Sequence, residues 1–207
     1  QEPSVESIAA KTVYGSAFNI GSSATTLVLG FLRSVLLARL LSPEVFGVMA
    51  LTGFFLSLIG RIHAFGFDDA LTHRAIDRKE VISTHFVLRV GLDLILALVA
   101  VVSAPFLQRA YPDHPNLGHV LIALAVLTLV KGMTATPQVL LSKDLHFRRL
   151  ALLDVLSSIM AFVVAVPLAW WGAGIWSLVG EQAAGTLVRV IGLWVYRRPW
   201  KVSLKVD

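Results

Sequence analysis

Five basic residues stand inside otherwise apolar stretches of this 207-residue chain: Arg33, Arg61, Arg89, Lys131 and Arg189. A cation among hydrocarbon side chains can bind an anion or neutralise a carboxylate. At the centre of a bilayer span it costs roughly 2.5–3.5 kcal/mol, so each should face protein or water rather than lipid. Arg61 lies near a span end, where its stem can carry the charge to the headgroups. The other four lie deeper. Around Arg33, the stretch Asn19 to Leu41 places Asn19, Ser22, Ser23, Thr26, Gly30 and Arg33 at steps of three or four. On a helix these residues share one face. A small, polar stripe ending in an arginine suits other helices or a water-filled cavity. The competing reading is a small-residue seam that lets helices approach closely, which accounts for Ser, Thr and Gly but not for Arg33.

Acids at helical spacing offer partners to two of the cations. His85, Arg89 and Asp93 are spaced i, i+4, i+8, and Glu181, Gly185 and Arg189 repeat that spacing. An Arg89–Asp93 bridge is within reach on one helix. Glu181 and Arg189 are two turns apart, ~11 Å, which disfavours a direct contact. Lys131 has no acid within a turn, and Thr128, Thr134 and Gln138 roughly share its face. Set against Asp93 and Glu181, the five cations leave a balance of +3 within the spans. This predicts an electropositive interior whose ligand is anionic.

The elements that must position these groups are membrane helices. The chain is 56% hydrophobic and 15% charged, with a mean hydropathy of +0.76. A soluble domain carries about 25% charged residues, so this composition points to an all-α integral membrane protein. Six apolar segments, about 15–41, 46–66, 81–107, 117–141, 150–171 and 174–196, each reach the length of a span. A span needs ~20 residues. Ser42-Pro43-Glu44 ends the first helix and begins the second, with Pro suited to a first turn. Tyr111 to Asn116, with two prolines, cannot continue a helix. Gly172-Ala173-Gly174 reads as a tight reversal.

Eleven cations fall at the N-terminus, in the 67–80 and 142–149 connections and in the tail, whereas the alternate connections hold only Arg39 and Arg109. The positive-inside rule therefore predicts that both termini are cytoplasmic. The chain starts on a polar stretch without Met or an evident cleavable leader, and the expectation is of further residues upstream or of a fragment.

Other chemistries find little support. His63, His73, His85, His114, His119 and His146 show no HxxxH or HExxH spacing and are expected to be interfacial and solvated. There is no P-loop and no GxGxxG, which excludes an ATP-driven motor within this stretch. Asp68-Asp69 reads as a helix cap rather than a metal–nucleotide site. The basic, aromatic run at Arg197 to Lys201 suits anionic headgroups better than nucleic acid. No cofactor is expected.

Three stretches carry a resemblance: LARLLSPEVFGVMAL (Leu37 to Leu51), AFGFDDALTHR (Ala64 to Arg74), and LLSKDLHFRRLALLDVLSSIMA (Leu140 to Ala161) running into GAGIWSLVGEQAAGTLVRVIGLWV (Gly172 to Val195). They resemble the polysaccharide-transport flippases, the O-antigen and exopolysaccharide repeat-unit exporters of the multidrug/oligosaccharidyl-lipid/polysaccharide superfamily. Asp69 stands where that family more often has a small residue.

The resemblance implies a transporter of twelve to fourteen helices in two lobes, of which this chain is the N-terminal six-helix lobe. It also implies movement of undecaprenyl-pyrophosphate-linked oligosaccharide across the bacterial cytoplasmic membrane by alternating access, driven by an ion gradient. The partner of this lobe would be a C-terminal lobe or a second copy. Arg33, Arg89, Lys131 and Arg189 would then contact the pyrophosphate or acidic sugars. Asn19, Ser22, Ser23 and Thr26 would hydrogen-bond hydroxyls, and Asp93 and Glu181 would orient the cations or carry a coupling proton. The alternative is a membrane-embedded polyprenol-linked sugar transferase or polymerase, with Asp68, Asp69 or Asp154 as base. A non-transporting assembly subunit is a third reading, and it predicts paired, shielded cations.

Overall fold

The computed structural model describes residues 5–60, 79–114, 116–143 and 147–196, with side chains from Ile20 onward except at 79–86, 139, 140, 142 and 143. The described residues form seven helices: α1 (Val5–Leu40), α2 (Pro43–Gly60), α3 (Lys79–Ala110), α4 (Leu117–Gly132), α5 (Ala135–Lys143), α6 (Phe147–Trp170) and α7 (Ile175–Tyr196). Within them, six stretches of 18 to 24 residues are long and apolar enough to cross a membrane. Arg61, His63, Asp68, Asp69 and His73 lie outside the described residues, as do the side chains of Asn19 and His85.

The connections follow their local chemistry. Pro43 opens α2, where its missing N–H is one the helix would leave unpaired anyway. Glu44 in that first turn complements the positive end of the helix dipole. Between α3 and α4, the Gln108 side chain donates to the His114 carbonyl at 2.9 Å and accepts from the Gly118 N–H at 3.0 Å. One amide thus satisfies backbone groups on either side of the turn. After α6, the Ala173 N–H donates to the Leu168 carbonyl and the Gly172 N–H to the Ala169 carbonyl. That pair of bonds is a Schellman cap, and Gly172 takes the left-handed conformation it demands, at φ 80°.

The fourth predicted span is not one helix. Its 117–141 segment divides at Met133-Thr134 into α4 and α5. Pro137 explains the division, because it offers no N–H to the Met133 carbonyl and its ring would press on that carbonyl in a continuous helix. The chain tightens instead. The Thr134 N–H and hydroxyl both donate to the Lys131 carbonyl, at 2.9 and 2.7 Å.

Small residues set the packing. α7 lies along α6, α6 along α1, and α3 along α4, while α4 meets α7 and closes the bundle. Ala97, Ala100 and Ala104 of α3 form a buried seam with Leu121 and Ala125 of α4. Lipid tails are as apolar as these side chains, so close packing of small residues, rather than escape from water, holds such helices together.

Two apolar clusters gather at one end of the bundle. One joins Val48 to Leu117, Val120, Leu124, Ile175 and Val179, and the other joins Leu37 and Leu41 to Ala165, Ala169 and Leu178. They seal the end that holds the α1–α2, α3–α4 and α6–α7 turns. Lys131, Asp154 and Arg189 lie in the opposite half, while Arg33 and Glu181 stand nearer these clusters and Ser177 is buried among them.

Candidate anion-binding pocket

A pocket of about 510 Å³ lies between α1, α4, α6 and α7. The α1 wall presents Ser22, Ser23, Thr26 and Arg33, so the three-and-four spacing in the first span does mark one cavity-facing stripe. A Cβ at Gly21 or Gly30 would meet open space, so neither glycine mediates close helix approach. Opposite stand Thr128 and Lys131 of α4 and Thr134 of the break that follows it, while α7 contributes Glu181, Thr186 and Arg189. Three predicted cations from three helices therefore share one pocket. Arg89 and Asp93 are not among its lining residues.

As their separation by two turns predicts, Glu181 and Arg189 are each paired with another helix. Arg33 Nη2 meets Glu181 Oε1 at 2.9 Å across the pocket, with each side chain 19% exposed. Glu181 thus serves the first helix and not Arg189 on its own. Arg189 Nη1 lies 2.8 Å from Asp154 Oδ1 on α6, a charge contact that is off the line of a hydrogen bond. Its Nη2 reaches Gln138 Oε1 of α5 at 3.5 Å.

The expected balance of +3 is corrected by Asp154. This residue lies within the fifth span, and the pocket holds three cations against two carboxylates. Among the described residues, Lys131 makes no ion pair. Arg89 and Asp93 make the predicted bridge, Nε to Oδ2 at 3.3 Å, on α3.

Several pocket residues escaped the sequence reading. Asp154, Ser157, Ser158 and Ala161 step by three and four along α6 and could have been found by the test that marked the first helix. Gln182 and Thr186 follow Glu181 on α7 in the same way. Ser157 Oγ is buried in the pocket wall and has no hydrogen-bond partner among the described residues. The assembly can therefore hold an anion on guanidinium and ammonium groups and direct hydroxyls at polyol oxygens. Asp154, one of the three carboxylates considered for enzyme chemistry, stands in this pocket in an ion pair with Arg189.

Residues 36–207 match the family described as Polysaccharide biosynthesis protein. The chain belongs to that family. The succinoglycan biosynthesis transport protein ExoT of Rhizobium meliloti (strain 1021) is 30% identical to it over 190 residues, which covers 91% of this chain and 38% of that protein. The lipopolysaccharide biosynthesis protein WzxC of Escherichia coli (strain K12) is 23% identical over 207 residues, covering 96% of this chain and 41% of the relative. The chain thus spans about two fifths of the length of these curated relatives. No solved structure matches it. A family of polysaccharide biosynthesis agrees with the resemblance drawn from the sequence, and one of the two relatives is named a transport protein.

Proposed function

We propose that this chain forms one six-helix half of a flippase. The flippase moves polyprenyl-diphosphate-linked oligosaccharide units across the bacterial cytoplasmic membrane for polysaccharide assembly. The observation that carries the reading is the convergence of Arg33, Lys131 and Arg189 on one hydroxyl-lined pocket within the membrane-spanning region. The diphosphate is held by the cations, and the first sugars meet Ser22, Ser23, Thr26 and Ser157. Glu181 and Asp154 hold the two arginines when no anion is present and exchange them with the substrate.

Both termini face the cytoplasm in this reading, as the distribution of cations requires. The end of the pocket that holds Lys131, Asp154 and Arg189 then lies toward the cytoplasm, and the Arg33–Glu181 pair lies deeper, nearer the apolar clusters on the periplasmic side, which suits loading from within. The family relationship and the name of the transport relative support export over glycosyl transfer. A second lobe or a second copy completes the pathway, because alternating access needs two halves moving about a central site.

The test is complementation of a flippase-null strain by the full-length protein carrying Arg33→Ala, Lys131→Ala or Arg189→Ala. Each change is expected to reduce polymer export. Arg33→Lys is expected to restore it only in part, since an ammonium cannot give the paired donors of a guanidinium. Undiminished export in all three alanine variants overturns the proposal.

A further inference from the structure

We infer that Asp93, held by Arg89, is a positioning residue that fixes the direction of Lys131 without itself touching the ligand. The inference rests on the proposed anion pocket for its purpose but not for its geometry. Asp93 is 2% exposed on the face of α3 that packs against α4. Its carboxylate lies against the last residue of α4, so a Cβ on Gly132 would overlap Asp93 Oδ2 and come within 2.7 Å of Cγ. Any side chain at that position would force Asp93 to shift. Arg89 Nε, at 3.3 Å, supplies the opposite charge that a carboxylate needs beside a helix C-terminus, whose dipole is itself negative.

The consequence follows from helix geometry. Consecutive residues point about 100° apart around an α-helix. With Gly132 held against α3, Lys131 is turned away from α3 and into the pocket, where it stands without an ion pair among the described residues. α4 ends one residue later, at a break that removes the stiffness a continuing helix would lend. The Thr134 bonds to the Lys131 carbonyl tie the turn locally, and Asp93 ties it to α3. Two residues placed beside the other cations by sequence thus act one helix away from them.

The test uses the absence of cysteine from this stretch. In the full-length protein, with any cysteine elsewhere replaced, Lys131→Cys is reacted in membranes with an anionic, water-soluble thiol reagent. Ser23→Cys on the opposite wall is the control. Gly132→Ala is expected to lower the rate at position 131 about tenfold, the scale on which loss of a supporting group weakens a site, with position 23 unchanged. Asp93→Asn keeps the volume against Gly132 but gives up the ion pair. It is expected to lower the rate at 131 by a smaller factor and to weaken binding of inorganic pyrophosphate by the protein that retains Lys131.

Equal rates at position 131 in Asp93→Asn and the parent overturn the inference, as does an equal loss at positions 23 and 131 in that variant. A selective loss at 131 with no pyrophosphate binding by the parent protein retains the positioning role and overturns the anion pocket instead.

Discussion

Arg33, Arg189 and Lys131 share a pocket but differ in what their removal exposes. Arg33→Ala strands Glu181, and Arg189→Ala strands Asp154. Breaking a fully buried pair costs about 3–5 kcal/mol, and partial exposure of these side chains lowers that to about 2 kcal/mol. Lys131→Ala breaks no ion pair among the described residues. It is therefore expected to weaken pyrophosphate binding with less than about 0.5 kcal/mol of destabilisation, as for an ordinary exposed substitution. Arg33→Ala should lower both binding and thermal stability in detergent, and adding Glu181→Gln should recover part of the stability but none of the binding. Additive stability losses for Arg33 and Glu181 would show that the contact contributes nothing.

At the scale of elements, the pocket depends on how closely α6 and α7 approach. A Cβ on Gly192 would overlap Leu153 Cδ2, and Leu153 is 4% exposed in a cluster with Leu141 and Leu193. That cluster also seats α5, the short helix whose Gln138 reaches Arg189. Gly192→Ala is expected to destabilise the protein by about 1–3 kcal/mol, the usual cost of overpacking. Leu153→Ala in the same chain should return part of the loss, measured as the melting temperature of the purified protein. A Gly192→Ala variant as stable as the parent would mean that Leu153 swings aside freely. The break between α4 and α5 belongs to this scale too. Pro137 is visible in the sequence, but a run of apolar residues on either side concealed its effect, and proline is tolerated within other membrane helices, as Pro105 and Pro167 show here.

For the whole molecule, the decisive property is that apolar packing closes one end of the bundle, while the pocket lies beyond it toward the end that holds Lys131, Asp154 and Arg189. With both termini inside, single cysteines at Asp113 and Ala173 are expected to react with an impermeant thiol reagent added to intact cells. A cysteine at Asp144, in the basic connection before α6, should react only after the membrane is opened. The reverse pattern would invert the orientation and place Lys131, Asp154 and Arg189 toward the outside. Large apolar side chains on α1 and α3, among them Leu27, Phe31, Val102 and Phe106, are more than half exposed in the isolated chain. Such faces are at home against lipid or a second set of helices.

Hydropathy, helical spacing and turn chemistry were enough to identify six helical stretches long and apolar enough to cross a membrane, and the cavity-facing stripe of α1. These are local properties, set by how a few neighbouring residues interact with lipid and with their own backbone. The Arg89–Asp93 bridge was legible for the same reason, since its partners sit one turn apart. The tertiary structure alone decided that Glu181 answers Arg33, that Asp154 answers Arg189, and that Lys131 joins them while Arg89 does not. Each of those outcomes depends on which helices lie side by side and how each is rotated. That rotation is set by contacts such as Gly132 on Asp93, between residues 39 positions apart in the chain.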